Sequence, residues 1–133
     1  MKKLLIIILF LSVASCYGQA RIGFTKQEIS SEFKDKTVIP YNLYDENYIT
    51  IEFYFGIFTY YFDCNNVSYS CNFRPNNTKI LHQFITKYDL EYEILGLNEW
   101  RTLDEEKINI ELVHNDDYSY YYFNFKLFNE YDN

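Results

Sequence analysis

Between Ile49 and Phe73 apolar side chains fall on every second residue, the spacing of a pleated strand with one buried face. Ile49, Ile51, Phe53 and Phe55 hold odd positions, and beyond Gly56 the set moves to Phe58, Tyr60, Phe62 and Cys64. A helix would scatter these residues around its whole circumference, so this stretch is committed to sheet. The change of phase at a glycine predicts a bulge or a sharp bend at Gly56. Asn65-Asn66 then offers a turn, after which Val67, Tyr69, Cys71 and Phe73 read as a returning strand.

The turn decides what the cysteines do. A two-residue turn at Asn65-Asn66 pairs Cys64 with Val67, Phe62 with Tyr69, Tyr60 with Cys71 and Phe58 with Phe73, every pair apolar and on one face. Cys64 and Cys71 are then offset by four residues, roughly 13 Å, beyond the ~7 Å that a disulfide spans. A disulfide needs Cys64 opposite Cys71, with residues 65–70 looped out and Val67 and Tyr69 lost from the sheet. The tight turn, with both cysteines buried and reduced, is the preferred expectation.

Two helices interrupt the strand pattern. Thr25 fits an N-cap with Glu28 three residues on, and Phe24 and Ile29 occupy the staple positions, predicting a helix over 26–34. Residues 35–47, with Pro40, read as a loop or edge. Pro75-Asn76-Asn77 ends the first sheet run and caps a second helix, about Thr78 to Tyr88, with Ile80, Leu81, Phe84, Ile85 and Tyr88 on one stripe. Strand patterns resume at Leu90–Leu95, Glu99–Leu103, Lys107–His114 and Tyr118–Leu127. Turns at Gly96-Leu97-Asn98, Asp104-Glu105-Glu106 and Asn115-Asp116-Asp117 separate them, the short loops of an antiparallel meander. The expected fold is α+β: a curved antiparallel sheet of about six to seven strands with two helices packed on one face, in the order α-β-β-β-α-β-β-β-β. A degenerate duplication of a helix-plus-hairpin unit fits that order, without a residue-level repeat.

The N-terminus carries an address. Lys2 and Lys3 precede an apolar run from Leu4 to Val13, and small residues follow at Ala14, Ser15, Gly18 and Ala20. The run is shorter than the ~20 residues of a spanning helix and has the three-part layout of a signal peptide. Residues 1–19 are therefore expected to be removed, leaving 20–133 as a single domain. Alternatively Val13-Ala14-Ser15-Cys16 resembles a bacterial lipobox, which makes Cys16 a candidate lipidation site and the sole expected link to a membrane. The expected location is outside the cytoplasm: periplasm, outer membrane or extracellular space.

Charge narrows the partners. Without Lys2 and Lys3, ten basic residues face 19 acidic ones. That excess repels phosphate backbones and argues against nucleic acid. Gly-Phe-Thr-Lys-x-Glu (Gly23 to Glu28), just past an export signal and ahead of a meander, resembles the start of small envelope proteins of the SmpA/OmlA type. It also resembles the β-lactamase-inhibitor-protein fold, built from helix-plus-sheet repeats. The stretch Phe58 to Asp63, Pro75 with its helix, and Asn98-Glu99-Trp100 look like small exported proteins of Gram-negative bacteria. The inhibitor-like resemblance implies protein–protein recognition by an aromatic concave sheet face and transfers no individual residue.

The sequence holds no catalytic set. His82 and His114 are far apart and match no ligand spacing. The acidic groups 104–106 and 115–117 could hold a divalent cation, but both fall where the meander needs turns. Catalysis by Cys64 or Cys71 would require a lowered pKa and a neighbouring base. Four glycines leave little for a phosphate loop, and no cofactor or metal is expected. The aromatic run from Tyr118 to Phe125 carries the functional expectation instead. Alternation places Tyr121, Phe123 and Phe125 on one face and Tyr118, Tyr120 and Tyr122 on the other, and tyrosine supplies contact area at low entropic cost. The expectation is a non-enzymatic exported module that binds another protein, with a basic target suited to its charge, through Tyr118, Tyr120 and Tyr122. A small-ligand or lipid carrier with an aromatic pocket is the alternative, and an enzyme ranks third.

Overall fold

The structure, a computed structural model, describes residues 20–33, 38–43, 46–103 and 107–128. The expected signal peptide with Cys16 and the turn 104–106 lie outside the described residues. Helix α1 (Lys26–Glu32) is followed by strands β1 (Val38–Leu43), β2 (Glu46–Phe53), β3 (Gly56–Phe62) and β4 (Ser68–Pro75). Helix α2 (Thr78–Glu91) is followed by β5 (Glu93–Gly96), β6 (Glu99–Arg101), β7 (Ile108–Asn115) and β8 (Tyr120–Leu127). All eight strands form one antiparallel sheet in the order β1-β2-β3-β4-β8-β7-β6-β5. Each half is thus a helix and a four-strand meander, and the halves meet edge to edge through their last strands, β4 and β8. The fold is α+β as expected, with one strand more: the segment around Pro40 pairs with β2 as the outermost strand, a position proline tolerates because an edge leaves alternate N–H groups unpaired.

The phase change at Gly56 is a chain reversal, not a bend within one strand. Phe53 pairs with Gly56 across a two-residue turn at Tyr54-Phe55, which sets Ile51 opposite Phe58 and Ile49 opposite Tyr60. In a two-residue hairpin, residues of opposite parity share a face, so the switch from odd to even keeps Ile49, Ile51 and Phe53 in the core together with Phe58, Tyr60 and Phe62. Asn76 pins the turn, its Nδ2 donating to the Tyr54 carbonyl at 2.8 Å and its backbone N–H to Phe55 at 3.0 Å.

The β3–β4 connection departs from the expected tight turn. Asp63 N–H donates to the Val67 carbonyl at 3.0 Å, Asn66 N–H to the Asp63 carbonyl at 3.0 Å, and Asn66 is left-handed at φ 58°. This is a three-residue hairpin loop, secured by the Asp63 carboxylate accepting from the N–H groups of Asn65 and Val67. The extra loop residue would turn every later side chain to the wrong face, and a shift in register between Tyr61 and Phe62 cancels it. Phe62 pairs with Ser68, Tyr61 with Ser70, and the pairs Tyr60–Cys71 and Phe58–Phe73 form as expected. Tyr69 is the skipped residue and stands exposed. Cys64 falls in the loop and is exposed rather than buried, while Cys71 is fully buried; both thiols are free.

Both helices cover the same sheet face. Thr25 caps α1, its hydroxyl accepting from Glu28 N–H at 3.1 Å, and the helix buries Ile29 completely and sets Phe33 edge-on to Phe53 at 5.5 Å. Thr25→Ala should lower the stability by about 1 kcal/mol, read as an earlier urea midpoint at unchanged slope. The helix ends at Glu32, whose carboxylate accepts from Nε of the buried Arg21 at 2.8 Å. Asn77 caps α2 through Ile80 N–H at 2.9 Å. This helix runs to Glu91, so Leu90 is helical and exposed rather than the start of a strand. The extension has a cause: Asp89, in that last turn, accepts from the indole N–H of the buried Trp100 at 2.8 Å.

Between helices and sheet the core is aromatic. Phe58 stacks on Phe73 at 4.4 Å, Phe84 of α2 sits on Phe73 at 4.6 Å, and Tyr88 meets Phe123 edge-on at 5.0 Å. Ring pairs in these geometries add about 0.5–1.5 kcal/mol each beyond their buried area.

Candidate recognition face

The strand alternation that sends Phe123 and Phe125 of β8 into the core turns Tyr120 and Tyr122 to the opposite face, where neither helix lies. Tyr118, in the turn before β8, is 76% exposed and joins them. Ring centroids are 6.4 Å apart for Tyr118–Tyr120, nearly parallel at 20°, and 6.1 Å for Tyr120–Tyr122. The three tyrosines singled out in the sequence therefore form a ladder on the sheet face away from the helices. Tyr121 shares the parity of the core residues but lies at the strand end, partly exposed, against the ring of His114 at 4.6 Å.

The pairing of β3, β4 and β8 extends this face. Asn72 and Arg74 alternate with the buried Cys71 and Phe73 and so point outward, as do Ile57, Thr59 and Tyr61 from β3. With Tyr120, Tyr122 and Asn115 these residues line a groove of about 340 Å³. The Arg74 guanidinium lies over the Tyr120 ring, its carbon 3.9 Å from the centroid. Asn115 Nδ2 donates to the Tyr120 hydroxyl at 3.4 Å, and Asn72 Nδ2 to the Tyr61 hydroxyl at 3.4 Å. Asn72 Oδ1 is buried and has no hydrogen-bond partner among the described residues. Further along, Tyr48 packs against Tyr61 at 5.6 Å.

Arg74 and Asn72 were not legible as site residues. The alternation around Phe73 marks both as outward-facing, but only the register of three strands brings them to Tyr120.

The other sequence candidates do not converge. His82 is exposed on α2. His114 Nδ1 lies 2.7 Å from an Asp116 oxygen, both exposed, at the β7–β8 turn. Asn115 serves that turn, its Oδ1 accepting from Tyr118 N–H at 3.2 Å. Among the described residues no three His, Cys, Asp or Glu side chains are grouped to hold a metal ion. Burial pushes the Cys71 thiol well above its ordinary value and outweighs the opposing pull of Arg21, so Cys71 is not an activated nucleophile. No described helix is long and apolar enough to cross a membrane. Comparison of the chain with protein-family models, with curated proteins and with solved structures finds no match.

Proposed function

We propose that this chain is an exported, non-enzymatic binding module that recognises another protein through the Tyr118–Tyr120–Tyr122 face. The observation that carries this reading is the ladder itself: three tyrosines in register on a sheet face that no described helix covers. Tyrosine and arginine are the residue types that concentrate binding energy at protein interfaces, and Arg74 is stacked within the same face. The duplicated helix-plus-meander order fits the helix-plus-sheet repeats of the inhibitor-like resemblance. An inhibitor or immunity role follows from size and charge, the acidic surface suiting a basic toxin or enzyme. A carrier of lipid or another apolar ligand would need an apolar cavity between helices and sheet; there, Phe58, Phe73, Phe84, Tyr88 and Phe123 pack ring on ring.

The proposal also places the protein outside the cytoplasm, either released after removal of residues 1–19 or anchored through Cys16. Expressed in a Gram-negative host, it should be recovered from the envelope or medium without Met1, as mass spectrometry of the N-terminal peptide reads directly. Cytoplasmic protein with an intact N-terminus would end that part of the proposal.

Replacing Tyr118, Tyr120 and Tyr122 together with Ser tests the face. The variant should keep its far-ultraviolet spectrum and a cooperative unfolding transition, since cross-strand pairs contribute about 0.2–1 kcal/mol each. It should lose the partner that the unaltered protein captures from envelope extracts. Undiminished capture by a folded triple variant would remove the tyrosines from the site.

A further inference from the structure

The groove beside the ladder holds two groups that the fold leaves unsatisfied. Arg74 has no carboxylate within ion-pair distance among the described residues, in a chain with 19 acidic side chains. Along its own cross-strand row Arg74 faces Ile57, and Ile57 faces Glu52, which puts the backbone of that acidic residue two strands away, roughly 10 Å. Stacking on Tyr120 covers one flat face of the guanidinium, and Arg74 is exposed; the N–H edge of a planar guanidinium grips a carboxylate with two parallel bonds. Asn72, two residues before it on the same strand face and so roughly 7 Å away, lines the groove and has a buried Oδ1 that accepts from nothing among the described residues. An unpaired buried acceptor is costly, and turning the Asn72 amide toward a donor supplied by a ligand removes that cost.

We infer that the groove is a docking notch for an acidic side chain of the partner protein, its carboxylate on Arg74 and an adjoining N–H on Asn72 Oδ1. This rests on the protein-recognition reading and names the chemistry that the face selects. A glutamate with its own main chain bridges the two groups, carboxylate at one end and N–H at the other. An acidic saccharide offers a carboxylate too, but a sugar ring needs an open aromatic face to stack on. In the groove the Tyr120 ring is covered by the guanidinium on one side, and Tyr118 and Tyr122 crowd it along the ladder. The surrounding acidity then acts as a filter: acidic surfaces are repelled in general, and an acidic residue is accepted only where it reaches Arg74.

The test is a nuclear magnetic resonance titration of the isotope-labelled protein recovered after export, at fixed ionic strength. N-acetylglutamate N-methylamide should shift the Arg74 Nε–H and the side-chain amides of Asn72 and Asn115 in a saturable way, and the glutamine analogue should not. Arg74→Gln should weaken the interaction roughly ten-fold or more. Arg74→Lys, which keeps the charge without the planar fork, should weaken it several-fold. Lys126→Gln, on the same face outside the groove, should leave it unchanged. Absence of saturable shifts at these groups, equal shifts with the glutamine analogue, or undiminished binding by both Arg74 variants would overturn the proposal. So would saturation by tetragalacturonate at lower concentration than the glutamate probe, which would assign the groove to an acidic saccharide. A silent groove combined with loss of partner capture in the tyrosine variant would remove this inference and leave the protein-binding reading standing.

Discussion

Gly56→Ala should destabilise the protein by about 3 kcal/mol or more, at the upper end of what overpacking a core costs. The reason is space, not backbone conformation, because Gly56 does not adopt a positive φ. A Cβ built at Gly56 would stand 2.3 Å from Cε2 of Phe73 and 2.5 Å from the Arg74 carbonyl oxygen. The first obstacle is a completely buried ring that stacks on Phe58 and packs at a tilt against Phe84. The second is backbone held in the β3–β4 ladder, so neither can retreat cheaply. Gly96→Ala is the matched control. Its Cβ would meet only Glu99 Oε2 at 3.9 Å, an ordinary contact, and the urea midpoint should stay within about 0.5 kcal/mol of the parent. In the Gly56→Ala background, Phe73→Leu removes the ring contact and keeps the carbonyl contact, so the double variant should be less destabilised than the two single effects added together. A Gly56→Ala protein that unfolds at the parental urea concentration would show that the β2–β3 hairpin does not pack against Phe73 as described.

The same hairpin shows why part of the fold was legible and part was not. Period-two spacing reports which residues share a face, and the odd-to-even switch around Gly56 reported it correctly. It does not report whether the chain continues or reverses, since a bulge and a two-residue turn both exchange parity. The β3–β4 turn failed for a related reason. Asp63 had no marked role in the sequence, yet its carboxylate holds two backbone N–H groups and selects a three-residue loop over a two-residue one. Only the compensating shift at Tyr69 restored the pairs Tyr60–Cys71 and Phe58–Phe73. The end of α2 was hidden because a tertiary bond, Trp100 to Asp89, sustains a turn that the apolar stripe does not demand. At the candidate face the ladder could be read because Tyr118, Tyr120 and Tyr122 are near neighbours on one stretch of chain. Arg74 and Asn72 come from another strand, and no local pattern signals a cross-strand neighbour.

Stability should collapse in alkali, and three core groups set the window. Burial holds the hydroxyls of Tyr60 and Tyr88 and the thiol of Cys71 well above their ordinary values, with Coulombic repulsion from Cys71 adding to the rise at both tyrosines and Arg21 opposing it at Tyr60. In the unfolded chain the same groups lose their protons near pH 8.5–10. Below that range both states hold the protons, and the groups contribute no pH dependence. Above it the unfolded chain binds fewer protons than the native one, so stability falls as pH rises. The slope approaches about 1.4 kcal/mol per pH unit for each group, or about 4 for the three together, until the folded values are reached. Against a total stability of about 5–15 kcal/mol, that slope brings unfolding within a few pH units. Urea midpoints measured from pH 6 to 11 should therefore be insensitive to these groups up to about pH 8 and decline steeply beyond pH 9. Tyr88→Phe keeps the ring that packs on Phe123 and Trp100 and removes the ionisable hydroxyl, so it should reduce the alkaline slope by about a third. Tyr60→Phe should do the same, and the two reductions should add. A midpoint that stays flat to pH 11, or Phe variants that decline as steeply as the parent, would place these hydroxyls in contact with water and contradict the packed core on which the recognition face is built.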